Sequence, residues 1–328
     1  MGLRDKLQLA RLVALLLRPG EAGAADAKVL EECAAAPGGG RFDLYRPRGG
    51  RSRGALVAVH GGERTGWKNA RLVRLARALA RCGVTCAVPE LAGLARCSFD
   101  RADLDALEAV CLEAGRLAGS RPGLLGFSYG AGYALSAAAR EGLAAQLRFV
   151  VAVGAFHDLP GLLDWYAAQG DVEPRTALEW DDAVYLRLIL AWWFRGPLGL
   201  DPTLCAEMES LLDRFCEQAS EAEKRAFYER SLRQLDLFPT AARTLDRALL
   251  ADLSPKGRAE RIRCPVTLIH DRYDGIVPLR EAQRLHQEIA GSRLVVTEVL
   301  SHVTPARALD VLALARLTGA LAPLVSAG

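Results

Sequence analysis

The chain has 328 residues, 51% apolar and 25% charged, with a formal net charge of +3; that length suits one large domain with an insertion or two small ones, and the composition supplies a substantial core. Only five of the 42 basic residues are lysines, and the arginines interleave with acids without a long basic run, so the footprint of a nucleic-acid binder is absent. Eight cysteines with no C-x-x-C pair and no zinc-like histidine spacing read as reduced, mostly buried thiols of a cytoplasmic protein, and no stretch has the length of a transmembrane helix.

At the N-terminus Arg4, Arg11 and Arg18 recur every seven residues, with Leu9, Leu12, Val13, Leu16 and Leu17 broadly opposite. This predicts an amphipathic helix packed on the domain or on a membrane surface. The alternative is a secretory signal peptide, with Ala22-Gly23-Ala24 as its cleavage site. A poorly patterned stretch ending in Pro37-Gly38-Gly39-Gly40 completes an N-terminal helix and linker over residues 1–40.

Arg41 to Pro47 alternates like a half-exposed strand, and Ala55 to His60 is a continuous apolar run suited to a strand buried on both faces, ending in Gly61-Gly62. Trp67 to Cys82 has helical periodicity and stops at Gly83; Val84 to Val88 is the next strand, and Asp100 to Leu117 the next helix. Gly123 to Gly126 makes a short strand, Tyr129 to Arg140 a helix of small residues, and Phe149 to Val153 another buried strand. From Leu159 to Leu250 the alternation stops and helices take over: Thr176 to Phe194, one opened by Asp201-Pro202, and one opened by the capping box Ser220-Glu221-Ala222-Glu223. Strands resume at Pro265 to His270 and Arg293 to Val299, so the helical block interrupts the sheet. The expected architecture is a doubly wound, mostly parallel α/β sheet over residues 41–159 and 251–328, with an inserted helical cap over residues 160–250.

Chemistry concentrates at Gly126-Phe127-Ser128-Tyr129-Gly130, a G-x-S-x-G pattern between a strand and a helix. Small residues two positions either side of a serine let it stand on a tight, strained turn with its hydroxyl exposed. In a chain with 31 glycines the pentapeptide alone is weak, and its neighbours give it meaning. A serine nucleophile needs a base and a carboxylate to orient that base, and in this fold the chain order is Ser, acid, His. Of the five histidines only His302 follows the last strand; His286 reads as solvated, His270 as a structural hydrogen-bonder and His60 as a brace. Asp274, in the turn after the penultimate strand, is the candidate acid. Asp271 leaves the strand too early, and Asp158 is the runner-up, whose other reading is a helix or turn cap. The backbone N–H of Tyr129 and a second N–H in the His60-Gly61-Gly62-Glu63 loop, at Gly62, are the expected oxyanion donors.

With these segments in this order, together with Asp43 to Pro47, Pro89 to Gly93 and Leu253-Ser254-Pro255, the chain resembles the α/β-hydrolase superfamily of serine hydrolases from about Phe42 to Asp158 and from Leu253 onward. The resemblance implies Ser128 as nucleophile, His302 as general base and acid, and Asp274 as its orienter, working through an acyl-enzyme. Three departures stand out: Val299-Leu300-Ser301-His302 replaces the usual Gly-x-Gly-His, Glu90 stands where aspartate is commoner, and the Gly61-Gly62 loop lacks a third glycine. Serine at the nucleophile argues against the aspartate branches of the superfamily and against its cysteine-nucleophile dienelactone branch.

The expected activity is hydrolysis of a carboxylic ester or related acyl bond, with no metal and no organic cofactor. Acyl transfer, thioester or amide cleavage on the same fold, and a ligand binder without turnover, are the alternatives. The expected partner is a small acyl substrate, apolar if Trp192, Trp193 and Phe194 of the cap face the site; the other reading packs those rings into the cap itself.

Overall fold

The computed structural model describes residues 2–17, 26–50, 52–96, 98–169, 177–215, 218–305 and 317–325. In chain order its elements begin with α1 (Leu3–Leu17), β1 (Val29–Ala35), β2 (Arg41–Pro47), β3 (Ala55–Val59), α2 (Ala70–Arg81), β4 (Thr85–Pro89), α3 (Ala92–Ala95) and α4 (Arg101–Ala118). Then come β5 (Pro122–Phe127), α5 (Tyr129–Ala138), α6 (Glu141–Ala144) and β6 (Phe149–Val153). Helices follow: α7 (Leu159–Gln169), α8 (Ala177–Trp193), α9 (Pro202–Arg214), α10 (Glu221–Phe227), α11 (Leu237–Thr244) and α12 (Arg247–Leu253). Next are β7 (Val266–Asp271), α13 (Leu279–Glu288), β8 (Arg293–Thr297) and the short pair β9 (Leu300–Ser301) and β10 (Thr304–Pro305), and a 3-10 turn over Ala322–Val325 is the last described element.

Every residue of β3, β4 and β6 is buried, as continuous apolar runs require when helices cover both faces of a sheet. Eight strands form one sheet in the order β1-β2-β4-β3-β5-β6-β7-β8, parallel from β4 through β8, with β2 antiparallel to both β1 and β4. This is the doubly wound, mostly parallel α/β arrangement, with helical insertions between β6 and β7. One apolar core lies between the sheet and α4, α5 and the inserted helices; a second lies on the opposite face under α1, α2 and the C-terminal residues up to Val325. A third joins Trp180, Val184, Leu188 and Trp192 of α8 to Met208 and Leu211 of α9 within the insertion itself.

In α1, Leu9 and Leu12 are buried in the second core and Arg4 and Arg11 are exposed. The apolar face is thus taken up by the domain, and no helix among the described residues is long and apolar enough to cross a membrane. Ala22-Gly23-Ala24 lies outside the described residues. The stretch read as unpatterned contains β1, which escapes periodicity because it is an edge strand with only Val29 fully buried. Asp201 caps α9 through the Thr203 and Leu204 N–H groups, with Pro202 at the first helical position. The Ser220 box is half made: Ser220 Oγ accepts the Glu223 N–H at 3.2 Å, while the Glu223 carboxylate pairs with Arg214 at the end of α9 at 2.7 Å.

Candidate active site

The C-terminal ends of β3, β5, β7 and β8 converge at one edge of the sheet, the edge where open α/β sheets place their ligands. Ser128 sits there between β5 and α5 with φ 54° and ψ −128°, an uncommon backbone for a residue with a Cβ. Such a conformation costs about 1–3 kcal/mol and persists only where its surroundings impose it. Here the Ser128 N–H donates to the Val153 carbonyl at 2.8 Å. A Cβ at Gly126 would lie 2.5 Å from the Gly130 carbonyl oxygen, and one at Gly130 would lie 1.9 Å from the His60 carbonyl oxygen. Glycine at both places lets the turn close against β3.

His302 is the second residue with a side chain and a positive φ, at 51°. It opens the two-residue turn between β9 and β10, whose closing pair is Ser301 and Thr304. A positive φ at only the first turn position is a place that usually takes glycine. The turn carries the imidazole to within hydrogen-bond distance of two groups: Nε2 is 2.6 Å from Ser128 Oγ, and Nδ1 is 2.6 Å from Asp274 Oδ2. An ionised carboxylate only accepts, so Nδ1–H donates to Asp274 and Nε2 is left to accept the Ser128 hydroxyl.

Asp274 is held in turn by its own loop, with Oδ1 accepting the N–H groups of Ile276 at 2.9 Å and Val277 at 2.8 Å. His270, at the end of β7, donates Nε2–H to the Val277 carbonyl at 2.8 Å and lies 3.5 Å from Asp274 Oδ2. Asp271, set aside as the acid, has a different place. Its Oδ1 accepts the Tyr273 N–H and its Oδ2 the Leu300 N–H, both at 3.0 Å, so one buried carboxylate ties the Asp274 loop to the strand leading to His302. Tyr166 of α7, fully buried, adds a brace by donating to the Ile276 carbonyl at 2.7 Å. The contacts of Asp271 with Leu300 and of Tyr166 with Ile276 carry no sequence signal, since each pairs residues far apart in the chain.

Burial by itself would raise the Asp274 pKa and lower that of His302. The two groups charge each other instead: Asp274 stays below the usual carboxylate range through His302, His270 and the Val277 N–H, and His302 stays above the usual histidine value through Asp274 and the Asp182 carboxylate. His60 differs, since burial pushes it down to about 4 and its Nδ1–H donates to the Gly61 carbonyl at 2.7 Å. It braces the loop as a neutral ring. Gly61 and Gly62 lie against the serine turn, where added Cβ atoms would stand 3.2 Å from Ser128 Cβ and 3.5 Å from the Tyr129 ring.

Other candidates fall elsewhere. The Asp158 carboxylate accepts Lys256 Nζ at 2.7 Å and takes no part in the His302 contacts; His157 meets Glu288 at 2.6 Å, and exposed His286 meets Ser292 at 2.8 Å. Of the three aromatic residues read as substrate-facing, only Trp193 reaches the site. Trp192 turns into the core of the insertion, its Nε1–H donating to Glu209 at 3.0 Å, and Phe194 is buried in the main core. Successive helical side chains diverge by about 100°, so three in a row cannot share one face.

Two cavities meet at Ser128 and His302. One, of about 40 Å³, is walled by Leu94, Phe99, Tyr129, Leu186, Leu190 and Trp193. The other, of about 470 Å³, runs past Val303 and is bordered by Glu63, Arg64, Arg71, Asp181, Asp182 and Lys224. Among the described residues no group of three or more His, Cys, Asp or Glu side chains is arranged to hold a metal ion.

The chain resembles a Klebsiella pneumoniae protein provisionally described as a dienelactone hydrolase, with TM-score 0.51 and 15% identity over 90% of this chain and 98% of that one. It also resembles a variant of the meta-cleavage product hydrolase of Pseudomonas fluorescens in complex with acetates, with TM-score 0.50 and 16% identity over 91% and 98% of the two chains. A match to the acylaminoacyl peptidase of Pyrococcus horikoshii, at TM-score 0.47 and 12% identity, takes in 83% of this chain but spans only 37% of that protein. At these identities the likeness is one of fold. A search of curated proteins finds no match. The model of the alpha/beta hydrolase family matches residues 56–315, from β3 past the turn that carries His302, and on that match the chain belongs to the alpha/beta hydrolase family.

Proposed function

We propose that this chain is a serine hydrolase that cleaves a carboxylic ester or a related acyl bond through an acyl-enzyme. The observation that carries the reading is the continuous series Ser128 Oγ, His302 Nε2, His302 Nδ1 and Asp274 Oδ2, with both contacts at 2.6 Å and Ser128 lifted from the sheet on a positive-φ turn. In this reading Ser128 Oγ bonds to the carbonyl carbon while its proton passes to His302 Nε2, and the carbonyl π pair moves to oxygen. The N–H groups of Gly62 and Tyr129 hold that oxyanion. Collapse breaks the bond to the leaving group, which takes the proton from His302. Water then repeats the sequence on the acyl-serine, again giving its proton to His302, and frees the acid. Asp274 holds the Nδ1–H tautomer and stabilises the imidazolium.

A fluorophosphonate probe tests the reading, because it phosphonylates an activated serine and needs no knowledge of the substrate. Wild-type protein is expected to be labelled at Ser128, and Ser128→Ala to be inert. Folded wild type that resists the probe overturns the proposal and favours a binding protein on the same scaffold.

A further inference from the structure

An oxyanion donor acts only if it is aimed before the charge develops, and nothing on Gly62 itself can aim its N–H. Gly62 has no side chain, and among the described residues its N–H meets no protein acceptor. The aim must come from its neighbours. Gly61 is held by the His60 ring, whose Nδ1–H donates to the Gly61 carbonyl at 2.7 Å. On the other side stands Glu63, in the place where the Gly61-Gly62 loop lacks a third glycine, and it is fastened twice. Its carbonyl accepts the Gly66 N–H at 3.0 Å, and its side-chain Oε2 accepts Asn69 Nδ2–H at 2.6 Å and the Thr65 hydroxyl at 3.4 Å. Asn69 gives that bond a fixed base. Its Oδ1 accepts the Arg71 and Leu72 N–H groups at 2.9 and 3.2 Å as the N-cap of α2, so the amide is oriented and its NH2 group faces Glu63. The helix is in turn anchored in the second core through Leu72, Ala76 and Leu79.

Resting on the serine-hydrolase reading, we propose that Glu63 is a positioning residue for the oxyanion: through Asn69 it ties the loop carrying the Gly62 N–H to the first turn of α2 and so sets the direction of that donor. Burial pushes the Glu63 carboxyl up to about 7, against the Asn69 and Thr65 hydrogen bonds and the charge of Arg71. An oxygen able to accept from Asn69 is present whether the carboxyl is ionised or neutral, so the tie depends on the hydrogen bond and not on the charge. Glu63 also borders the larger cavity, and direct contact with a bound substrate is the rival role. The two roles differ in what they alter. A donor that has lost its aim stabilises the transition state less and slows the chemical step, whereas a lost substrate contact weakens binding.

Fluorophosphonate labelling tests this, because the phosphoryl oxygen takes the place of the carbonyl oxygen and gathers negative charge as Ser128 attacks. Measured over a range of probe concentrations, it yields a maximal rate and a half-saturating concentration. Loss of a whole oxyanion donor costs about 10²–10³-fold in rate. Partial loss of its aim in Glu63→Ala is therefore expected to lower the maximal rate by about 10–100-fold and to leave the half-saturating concentration unchanged. Glu63→Gln, which keeps an oxygen for Asn69, should restore most of the rate. Asn69→Ser keeps a capping oxygen for α2 and removes the amide donor; it should match Glu63→Ala, and it carries the test should Glu63→Ala not fold. The double variant should be no slower than either single one, since both remove the same bond. A maximal rate equal to wild type in the folded variants, a loss confined to the half-saturating concentration, a Gln variant no faster than the Ala variant, or losses that add in the double variant each overturn the proposal. Wild type that labels while the variants behave in one of these ways sinks this inference alone, whereas wild type that does not label sinks the serine-hydrolase reading with it.

Discussion

Asp271 and Leu300 are joined by a buried hydrogen bond, Asp271 Oδ2 accepting the Leu300 N–H at 3.0 Å across 29 positions of sequence. With its other oxygen on the Tyr273 N–H, Asp271 fixes the loop of Asp274 and the approach to His302 relative to each other. Asp271→Ala strands both donors, at a cost of about 1–3 kcal/mol for a buried donor left unmatched. Urea unfolding should record that loss. A small displacement of His302 should also slow fluorophosphonate labelling, by roughly 10–100-fold, and Asp271→Asn, which keeps one acceptor oxygen, should fall between. A folded Asp271→Ala protein that labels at the wild-type rate would show that the two loops hold their geometry without the link.

Labelling should depend on pH through His302. The imidazole must be neutral to accept the serine proton, so the rate rises as His302 loses its own proton, and Asp274 and Asp182 hold that ionisation above the ordinary value. A rate profile between about pH 5 and 9 should therefore have its midpoint above about 6.5. Asp182→Asn removes one of the two negative charges and should bring the midpoint down. The linkage to stability has opposite signs for the two partners. A raised His302 contributes stability below its unfolded pKa that is lost as pH rises through the folded one, while a lowered Asp274 contributes stability above its unfolded pKa that is lost as pH falls through the folded one. His302→Gln should flatten the alkaline side of the stability profile, and a midpoint below 6.5 would contradict the charge balance.

Gly130 and Gly62 offer a contrast in what a single methyl does. At Gly130 the added Cβ would stand 1.9 Å from a backbone oxygen of β3's exit, and neither side can yield without moving the serine turn. Gly130→Ala should cost about 3 kcal/mol or more. At Gly62 the nearest atom is a Tyr129 ring carbon at 3.5 Å, an ordinary contact, so Gly62→Ala should change stability by under about 0.5 kcal/mol. Thermal melting of the two variants checks the pair, and equal melting points would remove the steric argument for the second glycine of the motif.

The same contrast explains what the sequence makes legible. Phe149-Val150-Val151-Ala152-Val153 can only be an interior strand, because every position is apolar and four of the five are aromatic or β-branched, and that local fact needs no partner. Ser128 is legible for a related reason: a strand, a serine between spaced glycines and a helix of small residues adjoin in the chain. Asp274 and His302 are legible from chain order once the serine is placed. The bracing roles of Asp271 and Tyr166 are not, because the Leu300 N–H and the Ile276 carbonyl that they engage are set by how segments far apart in the chain meet; His270, at the end of a strand, reads from the sequence as the structural hydrogen-bonder it is. β1 is hidden since an edge strand with one buried residue has no period-2 signal to give. Trp192, Trp193 and Phe194 mislead as a group because adjacency in sequence is not adjacency on a helix.

Arg64 links the loop that follows β3 to the inserted helices. Its Nη1 donates to Glu209 at 2.9 Å and its Nε to Asp213 at 3.1 Å, both on α9, while its guanidinium lies 5.1 Å from the centroid of the Trp192 ring. These groups are partly exposed, and solvent screening limits each ion pair to about 0–1 kcal/mol. Arg64→Gln should therefore lower global stability by less than about 1 kcal/mol. Its larger effect should be local, because α9 borders the large cavity through Leu212 and Asp213. Hydrogen exchange across Pro202–Arg214 should quicken in the variant while the β-strands stay protected, since local opening reports the contacts of one element and not of the whole. Unchanged exchange in α9 would mean that Met208 and Leu211, buried against α8, anchor the helix alone and that the charged contacts at the cavity rim add nothing measurable to it.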